Sequence, residues 1–325
     1  MALKDVKNRI SSVKNIQKIT RAMEMVSAAR LRRAEQRIHV LRPYASAIRR
    51  MTRQAADAAG SVPKVPILQR HDEERRVALL LVSSDRGLAG AFNSQIMRAG
   101  ARRAEELEGE GRQVVWYATG RRGVSSLTFR GREVVWYATG RRGVSSLTFR
   151  GRDVIGGYTG FTERPAYANA REIASDLMAA YIDGDVDRVE IIYNGYISPL
   201  AQQVTHETLL PLQEATIFGD EEGEEGEGDE SEDRSDSGHS ALVEYEPDPE
   251  EILRRLVPAY VEISLYRALL ESAASELGAR MTAMRNATEN AGELIKDYTL
   301  QMNRERQAAI TQEILEVVAG AEGLT

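Results

Sequence analysis

The sequence contains no cysteine, and this absence excludes several kinds of chemistry at once. Disulfide frameworks, thiolate zinc sites, cysteine nucleophiles and thiol switches all need a residue that the chain lacks. Histidine is almost as scarce, with four residues in 325, and none of them has the HExxH spacing of a metalloprotease zinc site. We therefore predict that the chain binds no metal and no cofactor.

Long apolar runs are also missing. A membrane-spanning helix needs about 18 or more predominantly apolar residues in succession, and no stretch of the sequence approaches that length. The first residues, MALKDVKNRI, alternate charged with apolar side chains and lack the continuous apolar region of a signal peptide. We expect a chain with no transmembrane segment, on the cytoplasmic side of whatever it serves.

Charge is distributed very unevenly along the chain. The formal net charge is -6, but the stretch from Gly219 to Ser240 carries eleven acidic residues against Arg234 alone, which gives -10. A segment of this composition has too little apolar surface to form a core, and it repels itself. We interpret 219–248 as a disordered acidic linker. In contrast, residues 1–53 carry fourteen Lys and Arg against three acidic residues, a local charge of +11.

Both ends of the chain have the apolar periodicity of long helices. From Leu3 onward, apolar residues return every three or four positions, which predicts a helix over 1–58 that is about 80 Å long. A second such pattern follows EPDPEE, in which Asp248 suits a cap and Pro249 a first turn, and it predicts a helix over 249–320. Rods of this length need a partner, so we predict an antiparallel coiled coil of the two helices.

The central region, 75–218, has the pattern of an α/β domain. The apolar run VALLLV is typical of a strand that is buried on both faces, and SDRGLAGAFN leads from it into a helix that continues to about Leu107. Further strands are predicted at VVWYA, DVIGGY and VEIIYN, with a helix from Pro165 to Ile182 before the last of them. Strands that alternate with helices indicate a mainly parallel, Rossmann-like sheet.

A tandem duplication occupies 111–150. GRQVVWYATGRRGVSSLTFR is followed at once by GREVVWYATGRRGVSSLTFR, and the two units differ only at Gln113 and Glu133. The period continues only into a partial third unit, GRDVIGG, whereas a repeat fold needs about three stacked units to bury a core. We interpret the repeat as a local duplication within another fold, and we expect the surplus unit at a sheet edge or in an extruded loop.

Two other functions are suggested by single features of the sequence. The strand, glycine-bearing loop and helix at 81–92 resemble a nucleotide-binding arrangement in an α/β enzyme. The chain has neither GxxxxGK[ST] nor GxGxxG after a strand, however, and it places Asp85 and Arg86 where a phosphate needs backbone amides. The basic N-terminal helix suggests a nucleic-acid-binding coiled coil or a scaffold protein, but its cations are spread around the helix and few aromatic residues accompany them. We favour neither alternative.

Four longer motifs resemble those of a known family. KNRISSVKNIQKITRAMEMVSAARLRRAEQR, SDRGLAGAFN, RMTAMRNATENAGELI and NRERQAAITQEILEVVAGA are similar, in order and place, to the gamma subunit of the F-type ATP synthase. The resemblance spans nearly the whole chain, and one departure is Gly323, where the family tends to have alanine or a small polar or basic residue.

This resemblance implies a non-catalytic rotor subunit of a proton-translocating complex. The paired terminal helices would form a shaft inside a ring of three alpha and three beta subunits. The α/β domain would help to hold the rotor on the membrane-embedded c-ring, with the epsilon subunit as a further partner. The chain would then be a peripheral protein on the cytoplasmic face of a bacterial plasma membrane, or on the equivalent side of another energy-transducing membrane.

The resemblance also implies which residues contact the alpha/beta ring. Met23, Arg30, Arg32 and Arg33 would face an acidic lever segment of beta, where opposite charges attract. The polar shaft positions are Arg280, Arg306, Gln307, Thr311 and Glu313. The last turns would lie in an apolar collar that acts as a bearing, and they contain Ile314, Leu315, Val317 and Val318.

Overall fold

The structure, a computed structural model, describes residues 3–58, 66–123, 125, 160–212 and 249–322. Its elements in chain order are α1 (Leu3–Ala58), β1 (Arg76–Val82), α2 (Phe92–Gly109), β2 (Gln113–Thr119), α3 (Tyr167–Ile182), β3 (Arg188–Tyr196), β4 (Gln202–Leu210) and α4 (Pro249–Glu322). Side chains are described to Ala55 in α1 and over 251–317 in α4. The predicted acidic linker, the second copy of the duplication and the predicted strand DVIGGY lie outside the described residues.

The two terminal helices pair antiparallel, which confirms the predicted coiled coil. The hydroxyl of Thr288 on α4 donates to the hydroxyl of Thr20 on α1 at 2.7 Å, and the Gln17 side chain donates to the Thr288 carbonyl at 3.4 Å. Further along the pair, apolar side chains of both helices form one buried cluster: Leu31, Ala34, Ile38, Leu270, Ala274 and Leu277. The helix pair is therefore held mainly by apolar burial along one seam.

The two helices differ in length more than the sequence suggests. Helix α1 has 56 residues and α4 has 74, which corresponds to about 84 Å and about 111 Å. Pro258 lies inside α4, which begins more than two turns earlier, at Pro249. Because Thr20 of α1 lies opposite Thr288 of the antiparallel α4, the start of α1 lies opposite about residue 305 of α4. Beyond that point α4 continues as a single helix.

The central domain contains one sheet with the strand order β2-β1-β3-β4. Strands β2, β1 and β3 run parallel, as predicted. The fourth strand, β4, pairs antiparallel with β3 and was not predicted from the sequence. Its residues, QQVTHETLL, are mostly polar and largely half-buried, because β4 lies at the edge of the described sheet with one face partly in water.

Each face of the sheet has its own core. On one face, the side chains of Leu79, Leu81 and Trp116 pack against α2. On the other face, Leu80 and its neighbours pack against α3 and the first turns of α4. The continuous run VALLLV is buried throughout, since alternate residues enter different cores. Strand β2 comes from the first copy of the duplication.

Gly120, which directly follows β2, lies in a sterically restricted position. Its φ is +80°, and an added Cβ would lie 2.3 Å from the carbonyl oxygen of Ser83. We expect Gly120→Ala to lower the free energy of unfolding by about 3 kcal/mol, because left-handed backbone strain and overpacking each contribute. Gly111 has the same φ and no atom within 4 Å of an added Cβ, so Gly111→Ala is the matched control. We expect it to lose about 1 kcal/mol in urea unfolding; equal losses would contradict the steric argument.

Candidate functional site: the shaft and its junction with the central domain

The end of α4 presents apolar side chains to solvent. Ile314, Leu315 and Val317 are 57%, 58% and 72% exposed, and Ile310 one turn earlier is 48% exposed. Ile310, Ile314 and Val317 follow one another at helical spacing and form a stripe on one side of the helix. The side chain of Val318 is outside the described set. A contiguous exposed apolar stripe on a helix indicates a surface that a partner covers.

The polar residues predicted for the shaft end also lie on this single-helix part. Arg306, Gln307, Thr311 and Glu313 are all exposed. The Thr311 hydroxyl donates to the Gln307 carbonyl at 2.9 Å within the helix. These four positions are thus accessible to a partner. Their direct contact with a ring stays a prediction.

The predicted cations on α1 divide into two kinds. Arg32 and Arg33 are exposed. Arg30, two positions before Arg32, is bonded within the chain, because its Nη1 donates to Glu163 Oε2 at 2.6 Å. Met23 is half-buried. We therefore expect Arg32 and Arg33 to be more available to a partner than Arg30.

Glu163 joins the shaft to the central domain. It lies shortly before α3, and besides Arg30 of α1 it is 3.1 Å from Nη1 of Arg86 in the β1–α2 loop. It is also 3.7 Å from Nη1 of Arg280 in α4. One carboxylate therefore faces three guanidinium groups from three elements. No sequence motif pointed to Glu163, because its partners lie 77 or more positions away.

Arg280 differs from the other predicted contact residues because it is buried. Its side chain is 7% exposed, and its Nη2 donates to Glu276 Oε1 at 2.5 Å. The same nitrogen is 3.4 Å from the carbonyl oxygen of Gly87. The bonds that Arg280 makes in this chain are internal, and they fasten α4 to the β1–α2 loop. A contact between Arg280 and the ring stays a prediction.

Glu276 is the buried acid of this junction. Burial raises the pKa of Glu276 to about 7, against the opposing effect of Arg280, and the negative charges of Glu163 and Asp85 raise it further. The carboxyl group therefore titrates in the neutral range. This makes the junction sensitive to pH in a way that a solvent-exposed Glu–Arg pair is not.

The loop after β1, where a nucleotide site was considered, is tied to the surrounding chain. The Ser83 hydroxyl donates to the Thr119 carbonyl at 2.5 Å and accepts from the Gly123 amide at 2.8 Å. The Ser84 amide donates to Asn93 Oδ1 at 3.0 Å. The Asp85 carboxylate accepts from the Thr162 hydroxyl at 2.9 Å, and from the amides of Gly160 and Arg121 at 3.0 and 3.2 Å. These groups connect β1, β2 and the segment before α3.

Neither a metal cluster nor a membrane-spanning helix is found in the part of the chain that the structure describes. Among those residues, no three or more His, Asp and Glu side chains are grouped so as to hold a metal ion. None of the described helices has an apolar stretch long enough to cross a bilayer.

Comparison with known proteins identifies the family. The family model described as ATP synthase matches residues 2–136 and 129–324, and the two matches meet inside the tandem duplication. The ATP synthase gamma chain of Rubrobacter xylanophilus is 41% identical over 323 residues, which cover 99% of this chain and 98% of the relative. The ATP synthase gamma chain of Paracoccus denitrificans is 40% identical over 324 residues, which cover 99% of each chain.

The fold agrees with that of solved structures. A chain in the cryo-EM structure of the Euglena gracilis mitochondrial ATP synthase, containing OSCP, F1 and the c-ring in rotational state 3, matches with a TM-score of 0.63 and 16% identity. The match covers 99% of this chain and 94% of that one. Because the family model spans nearly the whole sequence and full-length relatives share about 40% of their residues with it, the chain belongs to the ATP synthase gamma chain family.

Proposed function

We propose that this chain is the central rotor of a proton-translocating F-type ATP synthase. The observation that carries the proposal is the single-helix tip of α4, with an exposed apolar stripe, on a long and asymmetric helix pair. In this proposal the tip and the adjoining shaft enter the ring of alpha and beta subunits. The central domain lies at the other end, toward the membrane c-ring and the epsilon subunit. The chain performs no catalysis itself.

The shaft acts through its lack of symmetry. Three identical catalytic sites in a ring have no internal reason to hold three different conformations. A pair of helices of unequal length has no threefold axis, so it presents a different surface to each site. A partner shifts a conformational equilibrium only by contacting the states differently. Rotation of the shaft therefore moves each site through the same series of states in turn.

The tip suits a bearing because its exposed surface is mainly apolar along one stripe. Ile314, Leu315 and Val317 offer contacts that are non-directional, so an apolar collar could hold them without fixing one angle of rotation. Charged side chains at the same place would form hydrogen bonds of fixed geometry, which would favour particular angles. We assign Val318 to the same bearing from the family resemblance.

The junction transmits torque between the central domain and the shaft. Glu163 connects α1, α4 and the β1–α2 loop, and a second link is formed where Arg267 of α4 donates to Glu207 of β4 at 2.9 and 3.0 Å. The apolar core between the sheet and α4 adds a continuous packed surface. A packed interface of this kind resists relative movement because protein interiors are close-packed.

We also propose that the chain is a non-catalytic subunit, peripheral to a membrane and on its cytoplasmic or equivalent face. The loop that offered a candidate nucleotide site supports this interpretation, because the Ser83 hydroxyl, the Ser84 amide and the Asp85 carboxylate are bonded within the chain. A phosphate at this position would have to displace those bonds.

Reconstitution tests the rotor function directly. The purified chain is added to an alpha/beta hexamer that lacks its central subunit, and co-elution and ATP hydrolysis are measured together. We expect one chain per hexamer and faster turnover than with the hexamer alone. Nucleotide hydrolysis by the chain alone, with no complex formed, would instead support an α/β enzyme and overturn the proposal.

The basic residues of α1 provide a more specific prediction. Replacing Arg30, Arg32 and Arg33 together with alanine should lower ATP synthesis coupled to proton flow, because it removes cations that attract the acidic lever segment of beta. Since Arg30 is also bonded to Glu163, the double variant Arg32→Ala/Arg33→Ala isolates the exposed positions. We expect both variants to reduce coupled synthesis several-fold, and to be less sensitive to salt than the wild type, because they lack the attraction that salt screens. Unchanged synthesis and proton pumping in the double variant would contradict this assignment.

A further inference from the structure

Arg280 lies between two carboxylates that belong to different parts of the fold. Its Nη2 donates to Oε1 of Glu276, one turn earlier on α4, at 2.5 Å. Its Nη1 is 3.7 Å from Oε1 of Glu163, in the segment before α3. That separation exceeds the length of a charge-assisted hydrogen bond by only about 0.8 Å, so a small movement of the side chain is sufficient to close it. One guanidinium group can therefore pair closely with either acid.

The two pairs differ in what they connect. Glu276 and Arg280 are four positions apart on the same helix, so the bond between them joins no two elements. Glu163, in contrast, already accepts from Nη1 of Arg30 on α1 at 2.6 Å. A hydrogen bond from Arg280 to Glu163 would thus link α4 to the segment before α3 and, through the same carboxylate, to α1. Of the two pairs, only this one crosses the junction between the shaft and the central domain.

Oε1 of Glu163 has the capacity for this additional bond. The atom is buried, and it accepts no hydrogen bond from the residues that the structure describes. Nη1 of Arg86 approaches it to 3.1 Å without good hydrogen-bond geometry, and the side chain of Arg86 is 63% exposed. Buried acceptors in proteins are nearly always hydrogen-bonded. Nη1 of Arg280 is the buried donor group that lies nearest to completing this site.

The charge on Glu276 decides how strongly it competes for Arg280. Its side chain is 1% exposed, and the charged groups that act on it are Arg280 on its own helix, Glu163 before α3 and Asp85 in the β1–α2 loop. The adjoining cavity of about 10 Å³ has room for one water at most, so solvent stabilises the carboxylate very little. Burial, reinforced by the two neighbouring acids, raises the pKa of Glu276 to about 7. The competition therefore changes near neutral pH.

We propose that Arg280 exchanges partners when Glu276 takes up a proton. With Glu276 charged, the guanidinium group pairs within α4. With Glu276 neutral, the stronger of the two competing attractions is lost, and the guanidinium group pairs with Glu163 instead. The exchange forms a new link between α4, α1 and the central domain, so the junction tightens on acidification. This switch is a property of the isolated chain, and its test does not depend on the rotor function proposed above.

A double-mutant cycle between Arg280→Gln and Glu163→Gln measures the exchange in the full chain. The cycle gives the factor by which one substitution changes the effect of the other on the equilibrium constant of urea unfolding. We expect this factor to be at least three times as large at pH 6 as at pH 8.5, because Glu276 competes for Arg280 mainly when it is charged. In the Glu276→Gln background, where that charge is absent at every pH, the factor should be equally large at both pH values. A factor that does not differ between pH 6 and pH 8.5 in the wild-type background would overturn the proposal.

The same acid supplies a matched control cycle. Arg30 is bonded to Oε2 of Glu163, the oxygen that Arg280 does not approach. The cycle between Arg30→Gln and Glu163→Gln should therefore change less than two-fold between pH 6 and pH 8.5. An equal rise in both cycles would mean that pH acts on Glu163 as a whole, which contradicts a specific exchange of partners by Arg280.

Hydrogen exchange followed by mass spectrometry tests the tightening itself. At pH 8.5, Glu276→Gln should slow amide exchange in residues 160–166, the segment that contains Glu163, at least three-fold relative to the wild type. Exchange in α2, which lies outside the junction, should be unchanged, and the use of one pH for both chains removes the pH dependence of the exchange chemistry. Equal or faster exchange of 160–166 in a folded variant would overturn the proposal. The wild-type cycle does not need this variant, so it decides the question if Glu276→Gln fails to fold.

Discussion

Glu190→Gln is expected to lower the free energy of unfolding of the isolated chain by about 3 kcal/mol, which is typical when a buried ion pair loses one partner. Glu190 lies on β3 and is only 1% exposed. Its carboxylate accepts from Arg103 of α2 through Nε at 2.8 Å and Nη2 at 2.9 Å. His206 of β4 lies 2.8 Å away, and Nε of Arg188 lies 3.1 Å away. A neutral amide would leave the two arginines without the negative charge between them.

The pH dependence of stability provides a second readout for Glu190. Burial alone would raise its pKa, but hydrogen bonds from Arg103 and His206 outweigh burial and lower the pKa to about 2. A carboxyl whose pKa is lower in the folded state stabilises the fold above its unfolded pKa of about 4.5. That stabilisation is lost as the pH falls from about 4.5 toward 2. Glu190→Gln should therefore lose most stability at neutral pH and differ less from the wild type near pH 3.

The same arginine provides the control for this experiment. Nη1 of Arg103 also contacts Glu106 at 2.9 Å, but the side chain of Glu106 is 60% exposed. Glu106→Gln should change stability by no more than about 0.5 kcal/mol, since exposed ion pairs contribute little. Urea unfolding followed by circular dichroism at pH 7 compares the two variants. If both lose the same amount, then the buried position of Glu190 has no special importance and our interpretation is wrong.

The contrast between Glu190 and the long helices shows what the sequence could predict. The helices are encoded in a periodic apolar pattern over many residues, and β1 in a continuous apolar run, so local sequence was sufficient for both. Strand β4 has no such pattern because its partly solvated face accepts polar residues. Its existence depends on pairing with β3, which is a tertiary property.

The residues of the candidate site also form two groups, those that the sequence could predict and those that it could not. The exposed tip residues were named from family motifs, and the structure leaves Ile314, Leu315 and Val317 uncovered. Glu163 and Glu276 were not named, because one acidic residue among the 49 Asp and Glu of the chain carries no local signal of burial. Their partners come from other elements or other turns of the helix. Only the folded arrangement distinguishes them from solvated side chains.

Arg280→Ala should destabilise the isolated chain, and the loss should grow as the pH rises. Arg280 is the buried partner of Glu276, whose side chain is 1% exposed. Removal of Arg280 therefore leaves a buried carboxylate without a compensating charge. We expect a loss of about 3 kcal/mol or more at pH 8.5, as for other broken buried pairs. At pH 6 we expect a distinctly smaller loss.

The sign of this pH effect follows from the titration of Glu276. Its folded-state pKa of about 7 is above the unfolded value of about 4.5, so the folded chain binds the proton more tightly. The resulting stabilisation is present below about 4.5 and is lost as the pH rises through about 7. Arg280 lowers the pKa of Glu276, so its removal raises that pKa further. At pH 6 the carboxyl is then mainly protonated with or without Arg280, whereas at pH 8.5 the variant must either bury a charge or retain a proton.

Two further variants separate a structural role of Arg280 from a contact with the alpha/beta ring. Arg285→Ala removes an exposed cation that lies 3.5 Å from Glu289 on the same helix, and it should change stability by no more than about 0.5 kcal/mol. Adding Glu276→Gln to Arg280→Ala should restore part of the stability at pH 8.5 and remove the additional pH dependence, because no carboxylate remains to be buried. If Arg280→Ala leaves urea unfolding unchanged at both pH values but still lowers coupled ATP synthesis, the internal pair is unimportant and Arg280 acts on the ring. A loss of stability that follows the titration of Glu276 instead places its main role at the junction, where it holds α4 against the central domain.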